Sequence, residues 1–191
     1  MADPSDPPWL PEMDTSSECG VLALDAGGAY PRSVSFETEY SGERILFGTS
    51  GNLLVSVWRD APDLPSMVLV RESAESMALR WPQGFAYINV VASGKPRFSE
   101  AVRRETREFM RSITPLATAH VLLLPGFLKV AVSSFINTAL LLARPSAPTR
   151  IFSDLDAGLD FVEPLLAAGG QSWTREQLRA AVDSAVSLAE A

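Results

Sequence analysis

Residues Ala117 to Arg144 read ATAHVLLLPGFLKVAVSSFINTALLLAR, and how this stretch is read decides the fold. Pro125-Gly126 cuts this most apolar part of the chain in two. Before the cut, the short aliphatic run from Ala119 to Leu124 predicts a buried strand, with Leu123 among its core positions. After it, Phe127, Val130, Ala131, Ile136, Leu141 and Leu142 recur at helical spacing on more than one face. That pattern predicts a helix with little exposed surface. A strand, a tight turn and a buried helix make the central step of an α/β domain. A spanning helix is disfavoured here: Pro125-Gly126, Lys129, Ser133, Ser134 and Asn137 interrupt the run, and too few apolar residues remain once the strand is removed.

The same alternation extends outward. Leu53 to Trp58 predicts a strand, and Pro65 to Arg80 a helix with Met67, Val70, Ala74, Met77 and Trp81 inward. Phe85 to Ala92 is a second clear strand. Ser99 caps a helix running to Ile113, with Phe98, Val102, Phe109 and Ile113 on its inner face. Thr149 to Phe152 predicts a short strand leading into Asp154-Leu155-Asp156, a helix start carrying Leu155, Leu159, Val162 and Leu166 inward, with Pro164 distorting its last turns. Thr174-x-x-Gln177 opens a last helix with Leu178, Val182, Ala185 and Ala189 on one stripe. Upstream, Thr49-Ser50-Gly51-Asn52 predicts a hairpin turn between RILFG and LLVSVW. Ser33 to Tyr40 alternates, with Val34, Phe36, Thr38 and Tyr40 assigned to one face.

The expected fold is a single α/β domain: a mostly parallel sheet of four to five strands, an antiparallel N-terminal edge and flanking helices. Its expected parts are a flexible, acidic, Pro-rich tail over 1–18, a weakly β-like extension over 19–48, the α/β domain over 49–168 and a C-terminal helix over 169–191. Trp9 and Leu10 are the only large apolar groups in the first 14 residues (MADPSDPPWLPEMD) besides methionine, and Gly27-Gly28 marks a turn. The surplus apolar residues after Pro125 are expected to be covered by the stripe of the last helix or by a second chain, and removing 170–191 is expected to cause self-association or aggregation.

Composition narrows the function. With 47% hydrophobic and 20% charged residues the chain is globular in character, and a net charge of −7 argues against a nucleic-acid partner. Arg103, Arg104, Arg107 and Arg111 alternate with Glu100, Glu105 and Glu108, the pattern of a solvated helix face laced with ion pairs. The single Cys19 allows no internal disulfide and fits a reducing cytoplasm, and the acidic N-terminus is the opposite of a signal peptide.

In order and texture the chain resembles the STAS and CRAL-TRIO-like superfamily, best known from bacterial anti-sigma-factor antagonists. The resemblance spans Leu53 to Leu166 and rests on VSVWRDAP (55–62), PQGFAYINVV (82–91), HVLLLPGFLKVAVSSF (120–135) and TRIFSDLDAGLDFV (149–162). It implies a regulatory, non-catalytic, protein-binding α/β domain. Where the family has a phosphorylated Asp-Ser pair at the start of the helix after its central strand, this chain has Leu124-Pro125-Gly126-Phe127. The phospho-switch does not carry over.

No cofactor is expected. His120, alone among aliphatics, reads as a hydrogen-bonded core residue, because there is no second histidine and only the one distant Cys19, too few to complete a metal site or a triad with it. Asp154, Asp156 and Asp160 read as capping acids. Lys129, Ser133 and Asn137 fall at i, i+4 and i+8 and form one polar stripe on an apolar helix. With Phe127 as an apolar anchor, they are the candidate partner- or ligand-binding residues, beside the turn at the carboxyl end of the central strand. The expected function is that of a cytoplasmic regulatory or scaffolding module that binds another protein, as a monomer or small symmetric oligomer, without a membrane span. A small-ligand or lipid-binding domain of the CRAL-TRIO type is the alternative.

Overall fold

The computed structural model describes residues 35–94, 97–169 and 172–191. The tail over 1–18, the first β-like run (VLALD), Cys19 and Gly27-Gly28 lie outside them. The described chain is a single α/β domain built on one six-stranded sheet. Its strands are β1 (Glu37–Ser41), β2 (Ile45–Ser50), β3 (Leu53–Trp58), β4 (Ala86–Val91), β5 (Ala117–Leu122) and β6 (Thr149–Phe152). Its helices are α1 (Leu64–Arg80), α2 (Glu100–Ser112), α3 (Gly126–Ala143), α4 (Leu155–Ala168) and α5 (Arg175–Glu190). The strands lie in sequence order, β1 to β6. β1–β2 and β2–β3 are antiparallel, and β3 to β6 are parallel.

Local chemistry sets the boundaries. Gly51, at φ 54°, turns β2 into β3 through a two-residue loop that pairs Ser50 with Leu53. The side chains of Asp63, Ser99, Asp154 and Thr174 cap α1, α2, α4 and α5, and Thr174 with Gln177 completes a capping box. α4 continues to Ala168 through Pro164, which sits on the exposed side where water can reach the carbonyl it leaves unbonded.

Each crossover from β3 to β6 moves one strand over in one direction, and α1, α2 and α3 share one face of the sheet. α4 and α5 cover the other. Period-two alternation divides each strand between these layers. Leu53, Val55 and Val57 of β3, Ala86, Ile88 and Val90 of β4, and Ala117, Ala119 and Val121 of β5 face α4 and α5, all fully buried. A Cβ on Gly158 would lie 2.9 Å from Val121 Cγ2, so glycine lets α4 approach β5 closely. Trp173 Nε1, just before α5, donates to Asn52 Oδ1 at 2.8 Å and ties the last helix to the β2–β3 turn.

Four expectations change. Phe36 and Tyr40 do not share a face: Phe36 packs on the α4–α5 side, whereas Tyr40 stacks on Phe47 of the other side at 5.5 Å. A register shift between Thr38 and Tyr40 inserts one residue and reverses the alternation. Leu123 is not a core position. β5 ends at Leu122, and 43% of Leu123 stays open although its N–H still donates to the Val91 carbonyl of β4 at 3.0 Å. α3 is not a buried helix. Only Val132, Ile136, Ala139 and Ala143 are buried, since the sheet ends at β6 and α3 has a helical neighbour, α2, on one flank alone. Nor does α5 cover the remainder, because it lies across β2 and β3 on the opposite face.

Candidate functional site

The α1–α3 face carries a row of polar side chains that the other face lacks. Strand register aligns Ser56, Asn89 and His120 across β3, β4 and β5, all pointing to the helix layer, with Trp58 and Tyr87 one pleat away. All five are buried. Their hydrogen bonds leave one tautomer for His120. Trp58 Nε1 can only donate, and it lies 2.8 Å from Asn89 Oδ1, which also accepts from Ser56 Oγ at 2.9 Å. Tyr87 Oη lies 2.8 Å from Ser56 Oγ and 3.4 Å from Asn89 Oδ1, so either hydroxyl can donate to the other. The Asn89 amide nitrogen is turned toward His120 Nδ1 at 2.8 Å, and since an amide nitrogen only donates, Nδ1 must accept. The imidazole proton therefore sits on Nε2. That atom is buried and has no partner among the described residues.

Burial keeps the ring neutral. Desolvation pulls the His120 pKa down to about 4, and the same effect raises that of Tyr87. His120 is thus a core histidine bonded through one nitrogen, as expected, with the other left open.

His120 also lines a void. A cavity of about 100 Å³ lies between the sheet and the helices. It extends from Asp60–Pro62, beyond the carboxyl end of β3, to Pro115 and Thr149, at the amino ends of β5 and β6. Tyr87, Phe109, Met110, Val132 and Ile136 give it an apolar wall, and His120 and Thr118 interrupt that wall from β5. Clefts for drug-sized ligands measure about 300–1,000 Å³, so this one suits a much smaller molecule.

A second feature lies outside. α2 and α3 form an open groove of about 640 Å³, lined by Phe98, Arg103, Arg107, Phe127, Phe135 and Leu142 among others. Phe98 and Phe135 stack at 3.6 Å on its floor. Phe127 is 80% exposed, Leu142 52%, and Val130 and Leu141 on the outer ridge 65% and 76%. The arginines of α2 are not laced with ion pairs: Glu105 turns inward to pair with Arg71 of α1 at 2.7 Å. Among the described residues Arg103, Arg104, Arg107 and Arg111 form no salt bridge. Arg103 and Arg111 instead donate to the carbonyls of Phe98 and Leu142.

The predicted site residues fall into two places. Phe127 lines the α2–α3 groove, while Lys129, Ser133 and Asn137 line a separate groove on the β6 side with Arg150 and Ser153. Asn137 Nδ2 donates to Ser133 Oγ at 3.4 Å, so part of the stripe satisfies itself. The structure does not bring Phe127 together with the other three. Asp154 caps α4, and Asp156 and Asp160 pair with Arg175. Among the described residues no group of three His, Cys, Asp or Glu side chains could hold a metal ion. α3, with 18 residues and a hydropathy of 1.6, is long and apolar enough to cross a membrane by length and composition. In the fold it is the crossover joining the paired strands β5 and β6.

Asn89, Ser56 and Tyr87 did not emerge from the sequence as site residues. A signal was there, in polar residues within strands otherwise apolar (LLVSVW, FAYINVV), but only the register shows that they meet His120. Compared with known proteins, the chain matches no family model, no curated protein and no solved structure.

Proposed function

We propose that this chain is a non-catalytic, STAS-like module that regulates or scaffolds another protein by holding an acidic, amphipathic segment of it in the α2–α3 groove. One observation carries the reading. Arg103, Arg107 and Arg111 recur at i, i+4 and i+8 beside α3, without carboxylate partners among the described residues, along an edge where Phe127 and Leu142 are open. Unpaired cations beside exposed apolar anchors suit a helix with one acidic and one apolar face. Glu100, at the start of α2, is the groove's own acid and disfavours a carboxylate at that end. A phosphate backbone would gain nothing from Phe127 and Leu142.

The test uses two fluorescein-labelled helical peptides with the same Leu/Phe stripe, one with a glutamate face and one with a lysine face. Anisotropy should show the acidic peptide binding the full chain at micromolar Kd, weakening with salt. R103E/R107E should lose that binding at least tenfold, and F127S should weaken it. Equal binding of both peptides, or of neither, overturns the proposal. So does sedimentation with phosphatidylserine vesicles in the absence of peptide binding, which would assign the surface to a membrane.

A further inference from the structure

The geometry points to the cavity at His120 as a binding site for a small, uncharged, mainly apolar molecule with one hydrogen-bond acceptor of the ketone or aldehyde class. Three observations meet here. The void is walled by apolar side chains, so the body of its occupant must be apolar. The hydrogen bonds that run from Trp58 and Ser56 through Asn89 fix the proton on His120 Nε2, so a residue of this wall carries a donor that has no acceptor among the described residues. And Nε2, in a residue only 5% exposed, has no partner among the described residues, which costs a folded protein free energy unless something reaches it.

Chemistry narrows the occupant further. A carboxylate or ammonium would enter a space without a compensating charge near His120, and burying an unpaired ion is prohibitive. A carbonyl oxygen has two lone pairs and loses little on leaving water if both find donors. Thr118, two residues along β5 on the same side, also lines the cavity, as does Asn89, and the Thr118 hydroxyl has no hydrogen bond within the described residues. Thr106 and Thr149 do not compete, since their hydroxyls already donate to the carbonyls of Val102 and Ala147. A single water needs on the order of 10–15 Å³ by this kind of measure and two to four polar partners. The void exceeds the first several-fold, and its wall is poor in the second.

His120 is the only histidine of the chain, so its imidazole resonances need no assignment. The full-length protein, labelled with 15N-histidine, is titrated with acetophenone and with ethylbenzene, which matches its shape and lacks the acceptor. Acetophenone should bind at least tenfold more tightly, the equivalent of about 1.4 kcal/mol. It should also move the Nε2–H resonance, which ethylbenzene leaves in place. In H120F the preference should fall below twofold. Equal affinities, no binding of either probe, or an Nε2–H signal unmoved at saturation with acetophenone overturns the proposal. The last outcome would mean that a retained water satisfies the ring. The wild-type titrations decide the question even if H120F fails to fold.

Discussion

The two faces of the sheet are made from the same strands and differ in nearly everything else. On the α4–α5 side, each of β3, β4 and β5 presents three fully buried aliphatic side chains to Leu159, Val162, Leu166, Leu178 and Val182, all themselves at zero exposure. On the α1–α3 side the same strands present serine, asparagine, histidine and tyrosine, a cavity lies above them, and the outermost helix keeps its large apolar residues in water. Close packing without polar groups is what maximises stability. A buried polar row with an unpaired donor and an uncovered helix does the reverse. The contrast teaches that one layer holds the domain together while the other is free to carry binding.

The hardest blow to that division is removal of residues 170–191. Trp173, Leu178 and Val182 alone stand for roughly 5–9 kcal/mol of burial, comparable with the whole stability of a domain. The truncated chain should fail to accumulate in soluble form or lose its cooperative melt by circular dichroism. A soluble truncated chain with an unchanged Tm would mean that the α4–α5 layer is not the stabilising one. The sequence-based expectation of self-association rested on α5 covering α3; with α5 on the opposite face, the expected outcome becomes a loss of folding.

A pH series sharpens the contrast on the other side. His120 titrates at about 4 when folded, below the 6.5 of an ordinary imidazole, so the unfolded chain binds the proton first as pH falls. Above pH 6.5 the group contributes nothing to the pH dependence. Between 6.5 and 4 it should lower stability, by roughly 3 kcal/mol in all, and below 4 no further. Urea melts at pH 7 and pH 4.5 should differ less in H120F than in the wild type. Equal differences in the two proteins would show that the ring is hydrated and the row not truly buried.

The smallest effects belong to the open residues. Leu123→Asp and Phe127→Ser should each change stability by no more than about 0.5 kcal/mol in urea melts, as ordinary surface substitutions do. A loss of 2 kcal/mol or more at either position would mean that the residue is covered in solution.

Much of this architecture was legible in the sequence, for reasons that individual residues make plain. The α1, α2, α4 and α5 stripes each occupy one side of a helix, so Val70, Val102, Leu159 and Leu178 could be placed inward from spacing alone. α3 resisted because it is apolar nearly all round: spacing cannot say whether Ile136 or Leu141 faces the sheet when both are aliphatic. Leu123 failed for a related reason, since a run of leucines carries no mark where pairing stops. The shift after Thr38 inverted the reading of Phe36 and Tyr40 because an inserted residue leaves no trace in an alternating pattern. His120 was visible as an anomaly, but its partners lie 31 residues away on β4 and further off on β3, and only register brings them together.

The bond from Trp173 to Asn52 spans 121 positions, and it has a consequence for how the protein is made. Because the strands lie in chain order, each new strand emerging from a ribosome has its neighbour already waiting, and the sheet can grow by addition. The exception is the layer over β2 and β3, whose helix follows every strand in the chain. Until α5 has been made, two completed strands keep a bare aliphatic face. Sheet growth by addition therefore leaves this layer to be closed only once the segment from Trp173 onward can dock.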